Sequence, residues 1–91
     1  MPKYKWNPDK NELLKRTRGI SFEQVVLHIE QGDLTDIIDH PDQIKYSRQK
    51  ILFVRMGSYM FAVPFIKEGD DWFLKTIMPS RKATNKYLKE T

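Results

Sequence analysis

From Lys50 to Met78 three apolar runs follow one another, "KILFVRM", "YMFAVPFI" and "WFLKTIM", each alternating side chains with a period of two and each rich in β-branched or aromatic residues. Gly57-Ser58 supplies a tight turn between the first two, and "KEGDD" a longer connection between the second and third. This spacing predicts a three-stranded antiparallel meander. Pro64 carries no backbone N–H, so the second strand is expected to bulge or lose pairing near its end. Both faces of the meander are apolar: Leu52, Val54 and Met56 point one way, Ile51 and Phe53 the other. Each face therefore needs a cover.

The N-terminal half offers one. In "WNPDKNELLKRTRG" Asn7 is placed to cap a helix, Pro8 fits its first position, Asp9 suits its positive end and Gly19 stops it. Only Leu13 and Leu14 are strongly apolar there, so this helix is expected to be short and lightly anchored. In "GISFEQVVLHIEQGD", Ser21 and Gln24 have capping-box spacing, and Ile20 and Val25 can staple the entry. Phe22, Val25, Val26 and Ile29 then form a helical stripe ended by Gly32. "YKW" upstream reads as a short edge strand or as an arm over the core. Leu34–Ile38 reads as a short extended piece followed by an irregular exposed connection. At the other end Pro79 breaks the third run, Ser80 can cap, and "RKATNKYLKE" forms a last helix. The second face of the sheet falls to that helix, to a partner protein or to a second copy. The fold class is α+β: two N-terminal helices, a small antiparallel meander and a C-terminal helix.

At 91 residues the chain makes one domain, residues 1–91, because two cores cannot be built from so few buried side chains. It has no cysteine, which excludes a disulfide framework and a thiolate metal site. No apolar run approaches the roughly 20 residues of a membrane span, and "MPKYKWNPDKN" lacks the apolar centre of a signal peptide. A cytoplasmic protein without a membrane role is expected. The net charge of +4 is uneven: residues 1–44 hold six Lys or Arg against eight Asp or Glu, residues 45–91 ten against four. A basic C-terminal half attracts polyanions, whether RNA, DNA or an acidic protein segment.

Several chemistries lack their residues. His28 and His40 stand apart with no ligand-type spacing, so no metal and no cofactor is expected, and both histidines read as structural or surface groups. A glycine-rich phosphate loop, a nucleophile elbow and a Cys/His pair are all missing. What remains is cationic and hydroxyl chemistry where the third run meets the last helix. A helix start carries free N–H groups, and Ser80, Arg81 and Lys82 would surround an anion there with donors. Lys75 precedes this junction, Thr84 lies one turn beyond it, and Arg48, Lys50 and Arg55 come from the first run and its approach. Gathered by the sheet, these residues would hold a phosphodiester without metal. Attack of a 2′-hydroxyl on phosphorus builds charge on the phosphoryl oxygens, which a fixed guanidinium such as Arg81 stabilises. A lysine or a nearby tyrosine would move the proton. The plainer alternative is a solvated amphipathic helix.

Two blocks tie these residues to a known family. "YKWNPDKNELLKRTRGISFEQV" resembles the opening of the BrnT-type toxins, and "LKTIMPSRKATNKYLKE" is similar to that family's strand-to-helix ending. The resemblance implies a RelE-like ribonuclease fold, metal-independent RNA cleavage that inhibits translation and growth, and neutralisation by a cognate antitoxin through which operator DNA is bound. It implies catalytic roles for Arg81, Lys82 and Thr84, with Arg48 or Lys50 matching the family's strand-start arginine. Lys75, Ser80 and Arg55 complete the expected phosphate-binding set. A rival reading keeps the cations but no catalysis: a nucleic-acid-binding module that stacks bases on Tyr59 or Trp72, or a protein-interaction domain of the same fold.

Overall fold

In the computed structural model, which describes residues 2–88, the order is β1 (Lys3–Trp6), α1 (Pro8–Arg18), α2 (Phe22–Glu30), β2 (Leu34–Asp39), β3 (Gln49–Met56), β4 (Tyr59–Glu68), β5 (Asp71–Leu74), β6 (Met78–Pro79) and α3 (Arg81–Tyr87). The fold is α+β with a C-terminal helix, as expected, and the sheet is larger than a meander. Its strands lie in the order β1-β5-β4-β3-β2, with β6 pairing separately to β4. The meander β3-β4-β5 forms the centre. "YKW" belongs to an edge strand that pairs in parallel with β5, Tyr4 opposite Trp72, so the sheet is mixed.

Local chemistry places the helices. The Asn7 side-chain oxygen accepts from Asp9 N at 2.8 Å and Lys10 N at 3.2 Å, and Gly19 closes α1 with φ 66°. Ser21 and Gln24 exchange the two bonds of a capping box. Asn11, buried on α1, joins the two helices: its Oδ1 accepts from Phe22 N at 2.8 Å, and its Nδ2 donates to Glu23 Oε1 at 2.8 Å. That second bond holds the Glu23 carboxyl below the usual carboxylate range. One free N–H at the start of α2 is thus satisfied by a side chain from α1.

Residues paired directly across a sheet share a face. Leu52 with Val63, and Val54 with Phe61, therefore lie on the side that packs with Leu14, Phe22 and Val25 of the two helices. Phe22 stacks on Trp6 at 5.6 Å and Phe65 on Trp72 at 4.7 Å, which extends this core to the β1 edge. On the opposite face Ile51, Phe53 and Ala62 lie beneath α3. Among the described residues no helix is long and apolar enough to cross a membrane.

Three expectations are corrected. The β4 strand runs through Pro64 without a bulge, in register with Ile51. The backbone of Pro64 faces away from β3, since its carbonyl accepts from Lys75 N at 2.8 Å. Its missing N–H therefore falls in the gap between β5 and β6, where no ladder bond is demanded. "KEGDD" is a two-residue turn rather than a longer one, Glu68 pairing with Asp71 around Gly69 at φ 61°. And "WFLKTIM" is not one strand: pairing stops at Leu74, and Met78–Pro79 returns to β4 further along. Ile77, fully buried between them, has its carbonyl held by Arg18 Nη1 at 2.9 Å.

Candidate functional site

The last helix is fastened to β4 by the residues at its start. Ser80 N donates to Met60 O at 2.9 Å, and its Oγ accepts from Ala83 N at 3.1 Å. The Thr84 hydroxyl donates to Ser80 O at 2.7 Å and accepts from Met60 N at 2.9 Å. Ser80 is the cap foreseen from sequence, and among the described residues its own O–H has no acceptor, although a hydroxyl is both donor and acceptor. Thr84 is a correction. It is buried and both its hydrogen-bonding roles are taken, so it is a clasp between α3 and β4 and has no hydroxyl to offer a substrate.

Between α3 and the outer strands lies a depression of about 250 Å³. Its floor is apolar, from Ile38, Ile51, Phe53 and Ala83, and Lys82, Lys86 and Tyr87 stand at its rim. Lys82 and Lys86 are one helical turn apart and therefore on one side of α3. The Tyr87 phenol donates to Asp36 Oδ2 at 2.5 Å, while Asp36 Oδ1 accepts from Ile37 N at 2.8 Å. Asp36 thus ties the last helix to the edge strand. The phenol bond, then the Ile37 N–H, then the nearby Lys86 ammonium hold the Asp36 carboxyl below its ordinary range. The same carboxylate raises the Tyr87 phenol above its own.

The other foreseen cations are dispersed. Arg81 is exposed at the first position of α3, next to the depression without lining it. Lys75 lines a separate depression of about 500 Å³ with Lys10 and Leu13 of α1, its ammonium 5.2 Å from the Phe73 ring centre. Lys50 pairs with Phe65 across the sheet, which puts it on the α1/α2 face, and its ammonium is 2.8 Å from Asp39. Both are corrections to a shared cradle at the mouth of α3: Lys75 is carried off because β5 ends one residue before it, and Lys50 because strand alternation turns it to the opposite face. Arg55 is on the α3 face of the sheet but at the β3–β4 turn, where its Nε donates to Gly57 O at 3.2 Å. Arg48 lies beside a third depression with Lys45 and Tyr46, 3.9 Å from Glu68.

The junction of strand and helix is therefore cationic through Arg81, Lys82 and Lys86, and among the described residues none of these three has a carboxylate partner within ion-pair distance. Sequence reasoning missed Lys86 and Asp36 as site residues. Lys86 could have been found, since it repeats Lys82 at helical spacing; Asp36 had no local signal. Among the described residues no three His, Asp or Glu side chains converge as a metal site. Comparison with protein-family models, with curated proteins and with solved structures gives no match.

Proposed function

We propose that this chain is the ribonuclease toxin of a bacterial type II toxin–antitoxin pair, cutting RNA without a metal at the depression between α3 and the β2–β3 edge. The observation that carries this reading is the pairing of Lys82 and Lys86 over an apolar floor. Two ammonium groups hold a phosphodiester while Ile51 and Phe53 exclude water from its inner side and strengthen the attraction. The reaction is an internal transfer: the 2′-hydroxyl gives up its proton to solvent or a side chain and its oxygen bonds to phosphorus, while the bond to the 5′-oxygen breaks and that oxygen takes up a proton from solvent to leave as a hydroxyl. Arg81, exposed next to the depression, stabilises the charge gained by the phosphoryl oxygens, and the Ser80 hydroxyl donates to one of them.

Such an activity belongs in the cytoplasm, with its RNA substrate and with an antitoxin that binds the chain and any operator DNA. A basic C-terminal half favours an acidic, partly disordered antitoxin. Incubation of the purified chain with RNA in EDTA is expected to give fragments with cyclic-phosphate ends, and Arg81→Ala to slow this by about 100-fold, the loss usual for one oxyanion donor. Intact RNA from the wild-type chain overturns the proposal. A second reading, binding without cleavage, draws on one observation: Asp36 and Tyr87 are tied to each other, the carboxyl depressed and the phenol raised, so this pair is not tuned to exchange a proton near neutrality. Tight binding of RNA that stays whole decides for it.

A further inference from the structure

Strand β3 connects the α3 depression to a second one. Ile51 lines the first and Gln49 the other, which measures about 210 Å³ and is bordered by Lys45, Tyr46 and Arg48. The two residues are one apart in alternation, so they share a face of the sheet and lie roughly 7 Å from each other along the strand. Pro41, at the start of the connecting loop, borders the first depression, and the loop then runs to the second. It is held in shape by its own bonds: Asp42 N donates to His40 Nδ1 at 3.0 Å, Lys45 N to Asp42 Oδ1 at 3.0 Å, Tyr46 N to Asp42 O at 2.9 Å and Gln49 N to Tyr46 O at 3.0 Å. The Tyr46 ring leans on His40 at 4.4 Å, with Lys45 5.3 Å from its centre. Ile44, at the tip, is 99% exposed, an apolar side chain left to solvent. Cations beside a supported aromatic ring, on a fixed loop, are what a single-stranded nucleic acid needs at successive nucleotides: charge for the phosphate and a flat face for the base.

We propose that the Pro41–Arg48 loop is a second nucleotide-binding wall, so that single-stranded RNA crosses this face from Lys82 and Lys86 to Lys45 and Arg48 and stacks one base on Tyr46. The inference rests on the reading that the α3 depression takes RNA. Glu68, 3.9 Å from Arg48, is the carboxylate a phosphate must displace, and both its side chain and that of Arg48 are mostly exposed, which makes the exchange cheap.

Binding of 2′-O-methyl oligonucleotides, which cannot be cut, tests this with the full chain. A dinucleotide is expected to reach only the α3 depression and an octanucleotide both. Tyr46→Ala is expected to weaken the octanucleotide by roughly 5- to 100-fold, the worth of one stacked base, and to leave the dinucleotide unchanged. Tyr46→Trp keeps the ring and restores the octanucleotide, which separates stacking from loop collapse. Arg48→Ala lowers the salt dependence of octanucleotide binding by about one phosphate contact. If Lys82→Ala weakens both ligands while Tyr46→Ala and Arg48→Ala weaken neither, the loop is overturned and the α3 reading stands. If the wild-type chain binds neither ligand, both fall. An acidic peptide that binds through Tyr46 and Arg48 where the octanucleotide does not also overturns the proposal.

Discussion

On one face of the sheet Leu52, Val54 and Val63 lie under two capped helices of 11 and 9 residues; on the other, Ile51, Phe53 and Ala62 lie under a single helix of 7. The first cover is made of large side chains that interlock, Phe22 on Trp6 and Phe65 on Trp72. The second is too short to span the strands beneath it. It is held instead by polar fastenings at its two ends, Ser80 and Thr84 to Met60, and Tyr87 to Asp36. A sheet of this size can bury one face for stability and keep the other partly open for binding, provided the shorter cover is pinned by hydrogen bonds that apolar area alone would not supply.

The same substitution on each face gives the largest expected effect. Phe22 is fully buried, and Phe22→Ala should cost about 3–5 kcal/mol, the range for emptying a core phenyl site. Phe53, half-buried at the floor of the α3 depression, should lose less than half as much as alanine, because much of its surface already meets solvent. Urea midpoints of the two variants measure the difference, and equal losses would break the division between a closed and an open face.

Thr84→Val comes next. Valine keeps the shape but leaves the buried Met60 N–H without an acceptor, which should cost about 1–3 kcal/mol. Hydrogen exchange at the Met60 amide is expected to speed up, with the amides of Leu52 and Val63 following only through the global loss. A uniform change across both faces would mean that the clasp is part of the general core.

How much of this was legible in the chain depends on how far each partner lies along it. The caps at Asn7, Ser21 and Ser80 act over two or three residues, and all three are where the sequence puts them. The three β-rich runs carried the meander, because alternation and turn glycines are local. The parallel pairing of Tyr4 with Trp72 joins opposite ends of the chain and leaves no trace in either segment beyond its β character. The site divides the same way. Ser80, Arg81 and Lys82 are found at the helix start, whereas the Asp36 partner of Tyr87 is 51 residues away. Lys50 and Lys75 were misplaced for one reason: closeness in sequence to the right strand does not say which face, or which end, a long side chain leaves from.

The Asp36–Tyr87 tie gives the open face its own pH dependence. A carboxyl held below its ordinary range contributes stability that is fully present above about pH 4 and is lost as pH falls through its depressed value. A phenol held above its range contributes below about pH 10 and is lost as pH rises through its raised value. The Tyr87 ring signals are therefore expected to change at both extremes and stay constant between them. Asp36→Asn should move the phenol titration back down toward an ordinary tyrosine and remove the acid step, without altering the stacking of Phe22 on Trp6.

The smallest expected effect falls on Lys50, a cation that lies close to the site in sequence and far from it in the fold. Its ammonium is 2.8 Å from Asp39, but both side chains are about half exposed or more, 49% and 70%, so water and salt screen the pair. Lys50→Ala should change stability by about 0.2–1 kcal/mol, and by less as ionic strength rises. Lys50 faces the α1/α2 side, so under the proposed function its loss should leave RNA cleavage near the wild-type rate, while Lys82→Ala, of equal charge change, should slow it. Equal slowing by the two would mean that net charge governs the interaction with RNA, and the distinction between the two faces would then have no bearing on function.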